Sequence, residues 1–134
     1  MFNHIMVGSN DIERSQRFYD AVLGLLGASA PVRNVANSGH VRLFYRHDGN
    51  TFCVTEPING EPATAANGAT FGFKCSSPEQ VQAFHDVAVA HGGTSIEAPP
   101  GLRSSSLGEL YLSYVRDPDG HKPVSYTHLR AHET

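Results

Sequence analysis

Nowhere in the 134 residues does an apolar run approach the ~20 residues that a membrane-spanning helix needs, and the N-terminus has neither the basic nor the apolar region of a secretion signal. The expectation is a soluble, cytoplasmic protein without a membrane partner. Lys and Arg form no cluster and the net charge is −3, which leaves no electrostatic footprint for nucleic acid or for an anionic membrane surface. Small-molecule chemistry is the expectation that remains. Cysteine is scarce: Cys53 and Cys75 lack the tight spacing of a metal motif, and without an export signal they are expected as free thiols. The length is that of one ordinary domain and is short for two independent cores.

What the chain does contain is a repeat. Laid on itself with an offset of 66, it places Glu13 on Glu79, Gln16 on Gln82, Phe18 on Phe84, Asp20 on Asp86 and Gly27 on Gly93. In residues 2–7 the set Phe2, His4, Met6 alternates with Asn3, Ile5, Val7, a period-2 pattern that predicts a strand with Ile5 and Val7 beneath a helix. Asn10 is the expected N-cap of that helix, with Glu13 completing a capping-box pattern and Gly24 or Gly27 ending it. Turn residues then separate predicted strands at 40–46 and 51–55, and residues 57–67 read as a linker.

The second half follows the same plan. Residues 69–75 predict a strand, Ser77 an N-cap with Pro78 at the first helical position, and Gly92-Gly93 a helix end. A strand at 94–97 is followed by a long segment, 98–108, expected to be a mobile loop covering a site. A strand at 110–116 and the turn at 117–120 lead into one last strand. The fold class predicted is α+β, with two tandem β-α-β-β-β modules (1–56 and 68–123), eight strands and two main helices.

Beyond residue 123 the apolar alternation stops, and residues 124–134 look like one reading frame of a sequencing-library adaptor; they are set apart as a non-native tail. His128 and His132, at i,i+4 with Glu133 beside them, would imitate a metal pair on a helix, but they lack the rest of any zinc motif.

Three strings in this order, FYDAVLG (18–24), AFHDVAVAHGG (83–93) and YVRDPDGHK (114–122), together with the repeated strand–helix–strands plan, resemble the vicinal oxygen chelate superfamily. That group includes glyoxalase I, bleomycin-resistance proteins, fosfomycin-resistance enzymes and extradiol dioxygenases. The similarity is strongest to its small single-domain, glyoxalase-like branch and covers residues 2–123. It implies sheets curled into a half-open barrel around a cavity, and a divalent metal held from the first and last strands of each module. That metal would be zinc, nickel, manganese or iron, acting as a Lewis acid in lyase or isomerase chemistry on an oxygen-rich substrate. A homodimer is a further implication.

Carried over by position, the four ligand places fall on His4, Cys53, Thr70 and Val124. His4 is the metal ligand expected, with Cys53 a possible second; Thr70 has a neutral hydroxyl and joins Arg103 and Tyr111 as expected substrate-binding residues. No catalytic residue is assigned. A His and a Cys fall short of the three protein ligands of a catalytic site. Two readings stay open. In one the native chain has a carboxylate near 124 and is a metalloenzyme; in the other the cavity binds a small molecule without a metal.

Overall fold

The computed structural model describes residues 1–106 and 108–129. Among them nine strands and two helices follow the order β1 (His4–Gly8), α1 (Ile12–Leu25), β2 (Val32–Val35), β3 (Val41–His47), β4 (Asn50–Thr55), β5 (Phe71–Lys74), α2 (Pro78–Ala90), β6 (Thr94–Ser95), β7 (Gly101–Ser105), β8 (Gly108–Arg116) and β9 (Pro123–Leu129). The first sheet has the order β1-β4-β3-β2 and the second β5-β9-β8-β6, with β7 on β8 as well. In each sheet the module's first strand lies parallel to its last, β1 on β4 and β5 on β9. The architecture is therefore mixed α+β, one plan used twice, with both sheets open among the described residues. Among the described residues no helix is long and apolar enough to cross a membrane.

Alternation decides which face of each sheet is buried. Val7 is buried and Ile5 packs against the core, whereas Met6 is exposed. On β4, Phe52 and Val54 join the core beside Leu43 and Tyr45 of β3. Helix α1 adds Phe18, Tyr19 and Val22, and α2 adds Phe84 and Ala88, so one cluster serves both modules. Rings bridge the halves: Phe52 meets Phe73 edge-on at 5.3 Å, and Phe73 stacks on Phe84 at 5.9 Å. Each such side chain contributes about 1.5–3 kcal/mol on burial.

Three expectations need correction. The cap of α1 is Asp11, whose side chain accepts from the Arg14 N–H at 3.1 Å. Asn10 is occupied elsewhere, because its side-chain amide pairs with both backbone groups of Ala63 at 2.7 and 3.1 Å and pins the inter-module segment. The segment expected as a loop contains β7, hydrogen-bonded to β8 from Gly101↔Leu112 to Ser105↔Gly108. Its serines and arginine lack apolar alternation, and the strand forms because β8 offers a long unpaired edge. That makes nine strands where eight were expected.

The last strand, β9, runs through Leu129 and lies between β5 and β8. It does so with polar residues turned inward: Ser125 and Thr127 are buried, and the Ser113 and Ser125 hydroxyls meet at 2.6 Å. His128 therefore stands on a strand, not a helix; His132 and Glu133 lie outside the described residues.

The modules are also clasped by polar groups. The turn at 117–122 reaches from the second module onto the start of the first. Asp119 accepts from the Asn10 N–H (2.9 Å), the Arg14 guanidinium (3.0 Å) and the Ser15 hydroxyl (2.9 Å). The His121 Nε2–H donates to the Gly8 carbonyl at 2.7 Å. Asp117 accepts from the Tyr19 hydroxyl at 2.6 Å and from the N–H groups of Asp119 and His121, each at 2.9 Å. Buried polar groups of this kind stabilise only when every partner is in place.

Burial pushes the Asp117 carboxyl up, against the opposing pull of Tyr19 and His121. Burial, with the charge of Asp117, holds the Tyr19 phenol well above its ordinary value, so it stays a donor. Because the folded pKa of Asp117 exceeds its unfolded value, this group favours folding at low pH, and its contribution fades as pH rises through the folded pKa. Removing the Tyr19 donor raises that pKa further and exposes the ionised carboxylate to its full desolvation cost. Tyr19→Phe should therefore lose about 1–3 kcal/mol at pH 7 and clearly less at pH 4, read by urea unfolding; equal losses at both pH values would contradict the clasp.

Candidate ligand-binding cleft

The first strands of the two modules leave an open cleft of about 980 Å³. Its floor is apolar, formed by Ile5 and Phe52 from the first sheet, Phe71 and Phe73 from β5, and Leu23 and Leu26 at the end of α1. Its rim is polar. His4, Thr51 and the turn residues His47, Asp48 and Asn50 stand on one side, and Thr70, Lys74, Ser76 and Gln80 on the other.

The repeat explains why the space exists. With the offset of 66, the clasp's receptors Gly8, Asn10 and Arg14 correspond to Lys74, Ser76 and Gln80, and all three line the cleft. The hairpin turn that would plug it lies between β3 and β4. Only Asp48 and Gly49 separate these strands, whereas six residues, 117–122, separate β8 from β9. The short turn leaves open on this side what the long turn fills on the other.

Several rim groups already have partners. The Gln80 side-chain oxygen accepts from the Ser76 N–H (2.7 Å) and hydroxyl (3.0 Å), while its amide N–H donates to the Leu25 carbonyl at 3.2 Å. The Tyr45 hydroxyl donates to Asp20 at 2.7 Å; burial, then Asp20, pushes its pKa up, so it remains a proton donor. His47 lies 3.5 Å from Asp48. Lys74, by contrast, has no ion-pair partner among the described residues.

Of the residues singled out from sequence, His4 and Thr70 line the cleft. His4 is exposed, and its Nδ1 meets the Asn3 side-chain oxygen at 2.8 Å. Cys53 is buried in β4 with Met6 and Phe44 as cross-strand neighbours, outside the cleft lining. Burial raises its thiol pKa, partly offset by Arg46 and Arg42. Arg103 is on β7, its guanidinium donating to the carbonyls of Leu102 and Pro99 at 3.0 and 2.9 Å. Tyr111 is on β8, opposite Thr127 and on the same face as Ser113 and Val115, away from the cleft. Val124 is buried in β9 opposite Gly72.

These positions do not make a metal centre. The four implied places supply one imidazole, one thiol kept protonated by burial, one alcohol and one aliphatic side chain. Among the described residues no three His, Cys, Asp or Glu side chains come together to hold an ion. The donor set does not fit a divalent cation, which needs at least three protein ligands at a catalytic site.

Sequence reasoning missed His47, Lys74, Gln80 and the end of α1. The signal was the offset itself: adding 66 to the residues next to the conspicuous RDPDGH turn's contacts would have pointed at Lys74 and Gln80, but those contacts are visible only in three dimensions.

The sequence profile of the Glyoxalase/Bleomycin resistance protein/Dioxygenase superfamily matches residues 1–122. A glyoxalase/bleomycin resistance protein from Albidiferax ferrireducens T118 is 53% identical, with a TM-score of 0.88 over 95% of this chain and 98% of that one. A glyoxalase-related enzyme from Fulvimarina pelagi, 21% identical, superposes with a TM-score of 0.71 over 100% of this chain and 95% of its own. The fosfomycin resistance protein FosX from Listeria monocytogenes, in a mutant complexed with Mn(II), is 15% identical with a TM-score of 0.67 over 96% and 93% of the two chains. These last two likenesses carry the fold alone. None of the curated proteins compared with it matches this chain. The repeated module and the profile agree, and the chain belongs to the Glyoxalase/Bleomycin resistance protein/Dioxygenase superfamily.

Proposed function

We propose that this chain binds a small organic molecule in the cleft between its modules, and that it does so without a metal, as a binding or sequestering protein. The observation that carries this reading is the pairing of an apolar, aromatic floor with a rim of separated polar groups, the usual chemistry of a small-molecule site. His4 serves there as a hydrogen-bonding group at the cleft edge. The test is metal uptake: after equilibration with Zn(II), Ni(II) or Mn(II) and removal of excess, bound metal should be far below one ion per chain. A stoichiometry near one that disappears in His4→Ala would overturn the metal-free reading.

A second reading keeps lyase or isomerase chemistry at a divalent metal. It is supported by Val124, which occupies the fourth implied ligand place just beyond the profile's end at residue 122. On this reading residues 124–134 are not native, and a carboxylate belongs at 124. Val124→Glu should then confer metal binding that the unaltered chain lacks, and failure to do so counts against it.

Self-association is part of the proposal. Met6, Cys53, Phe44 and Val32 form one row on the face of the first sheet opposite Val7 and Phe52, by their strand registers; Met6 and Val32 are exposed, while Cys53 is buried. Sedimentation at micromolar concentration should report twice the 14.5 kDa chain mass. A single 14.5 kDa species throughout would reject the dimer.

A further inference from the structure

We infer that the cleft takes a small organic anion with a flat apolar body, its charged group paired with the Lys74 ammonium. This rests on the cleft being a ligand site, and it adds the class of ligand.

Lys74 has no ion-pair partner among the described residues, and the imidazoles of His4 and His47 stand on the opposite wall. Among the described residues the cleft's one lining carboxylate, Asp48, is 85% exposed and faces His47. A cationic ligand would meet an ammonium with no compensating carboxylate on its own wall. An anionic one would gain a charge-assisted contact beside apolar surface, where water screens it less.

At the corresponding place in the other half, the fold already holds a carboxylate: Asp119 sits over the start of α1 with Arg14, Ser15 and the Asn10 N–H around it. There the anion is part of the chain. In the cleft the two-residue turn delivers no carboxylate: the Ser76 N–H, matching that of Asn10, donates to the Gln80 side-chain oxygen, and the cation present is Lys74, which matches Gly8 and not Arg14. Phe52, Phe71 and Phe73 supply the surface for the body of the ligand, with Phe52 edge-on to both of the others.

The probes are 1-anilinonaphthalene-8-sulfonate and its uncharged counterpart N-phenyl-1-naphthylamine, which share a ring system and differ in the sulfonate. Fluorescence titration should show one saturable site, with the sulfonate bound about tenfold more tightly than the amine, the gain of one partly desolvated ion pair. Lys74→Gln should abolish that difference while leaving the amine's affinity unchanged. Thr70→Trp, at an exposed rim position, should block both probes. Equal affinities for the two probes, unaltered by Lys74→Gln but lost in Thr70→Trp, would overturn the anion inference and leave the cleft as a binding site. Binding of neither probe, or binding indifferent to Thr70→Trp, would overturn both.

Discussion

Two carboxylates and an imidazole on one six-residue turn hold the halves of this molecule in register. Asp117 lies against the Tyr19 hydroxyl, Asp119 against Arg14 and Ser15, and His121 against the Gly8 carbonyl. All three reach residues about a hundred positions earlier in the chain. The shared core would let the modules slide, because hydrophobic contact has no preferred direction. Hydrogen bonds of 2.6–3.0 Å do have one. A carboxylate made costly by burial, as Asp117 is, tolerates little departure from the arrangement that satisfies it.

The consequence of fixing one side is that the other side is left open. A duplicated module should offer two equivalent joints. Here one joint is closed by residues 117–122, and the other faces the two-residue turn Asp48–Gly49. The cleft is that second joint, and its chemistry departs from that of the first: Gln80 satisfies the Ser76 backbone from within its own helix, and among the described residues Lys74 has no partner ion. Symmetry in the fold thus yields two unlike joints, one closed and one open.

Much of the architecture could be read from the residues. Period-2 alternation in β1, the Ser77-Pro78 start of α2 and the glycines closing both helices are local signals, and the offset of 66 turned them into two copies of one unit. The departures arise where a distant partner decides. Asn10 gives up the cap because Ala63 takes its amide, and β7 forms because β8 has a free edge. Inward Ser125 is accommodated because Ser113 faces it. The site was less legible for the same reason. His4 and Thr70 lie in the cleft, but Lys74, His47 and Leu26 enter it only because two sheet edges meet there. Tyr111 lies on the opposite face of β8 from Leu110 and Leu112, and alternation alone does not say which face is hollow.

We propose that the unclasped joint is the binding site. Amide chemical-shift mapping with 1-anilinonaphthalene-8-sulfonate tests it most directly, since each residue reports separately. The largest shifts should fall on His4, Leu26, Thr70, Phe73 and Lys74, with Asp117 and Asp119 unmoved. Shifts centred instead on Met6 and Val32, or spread through the clasp, would contradict it.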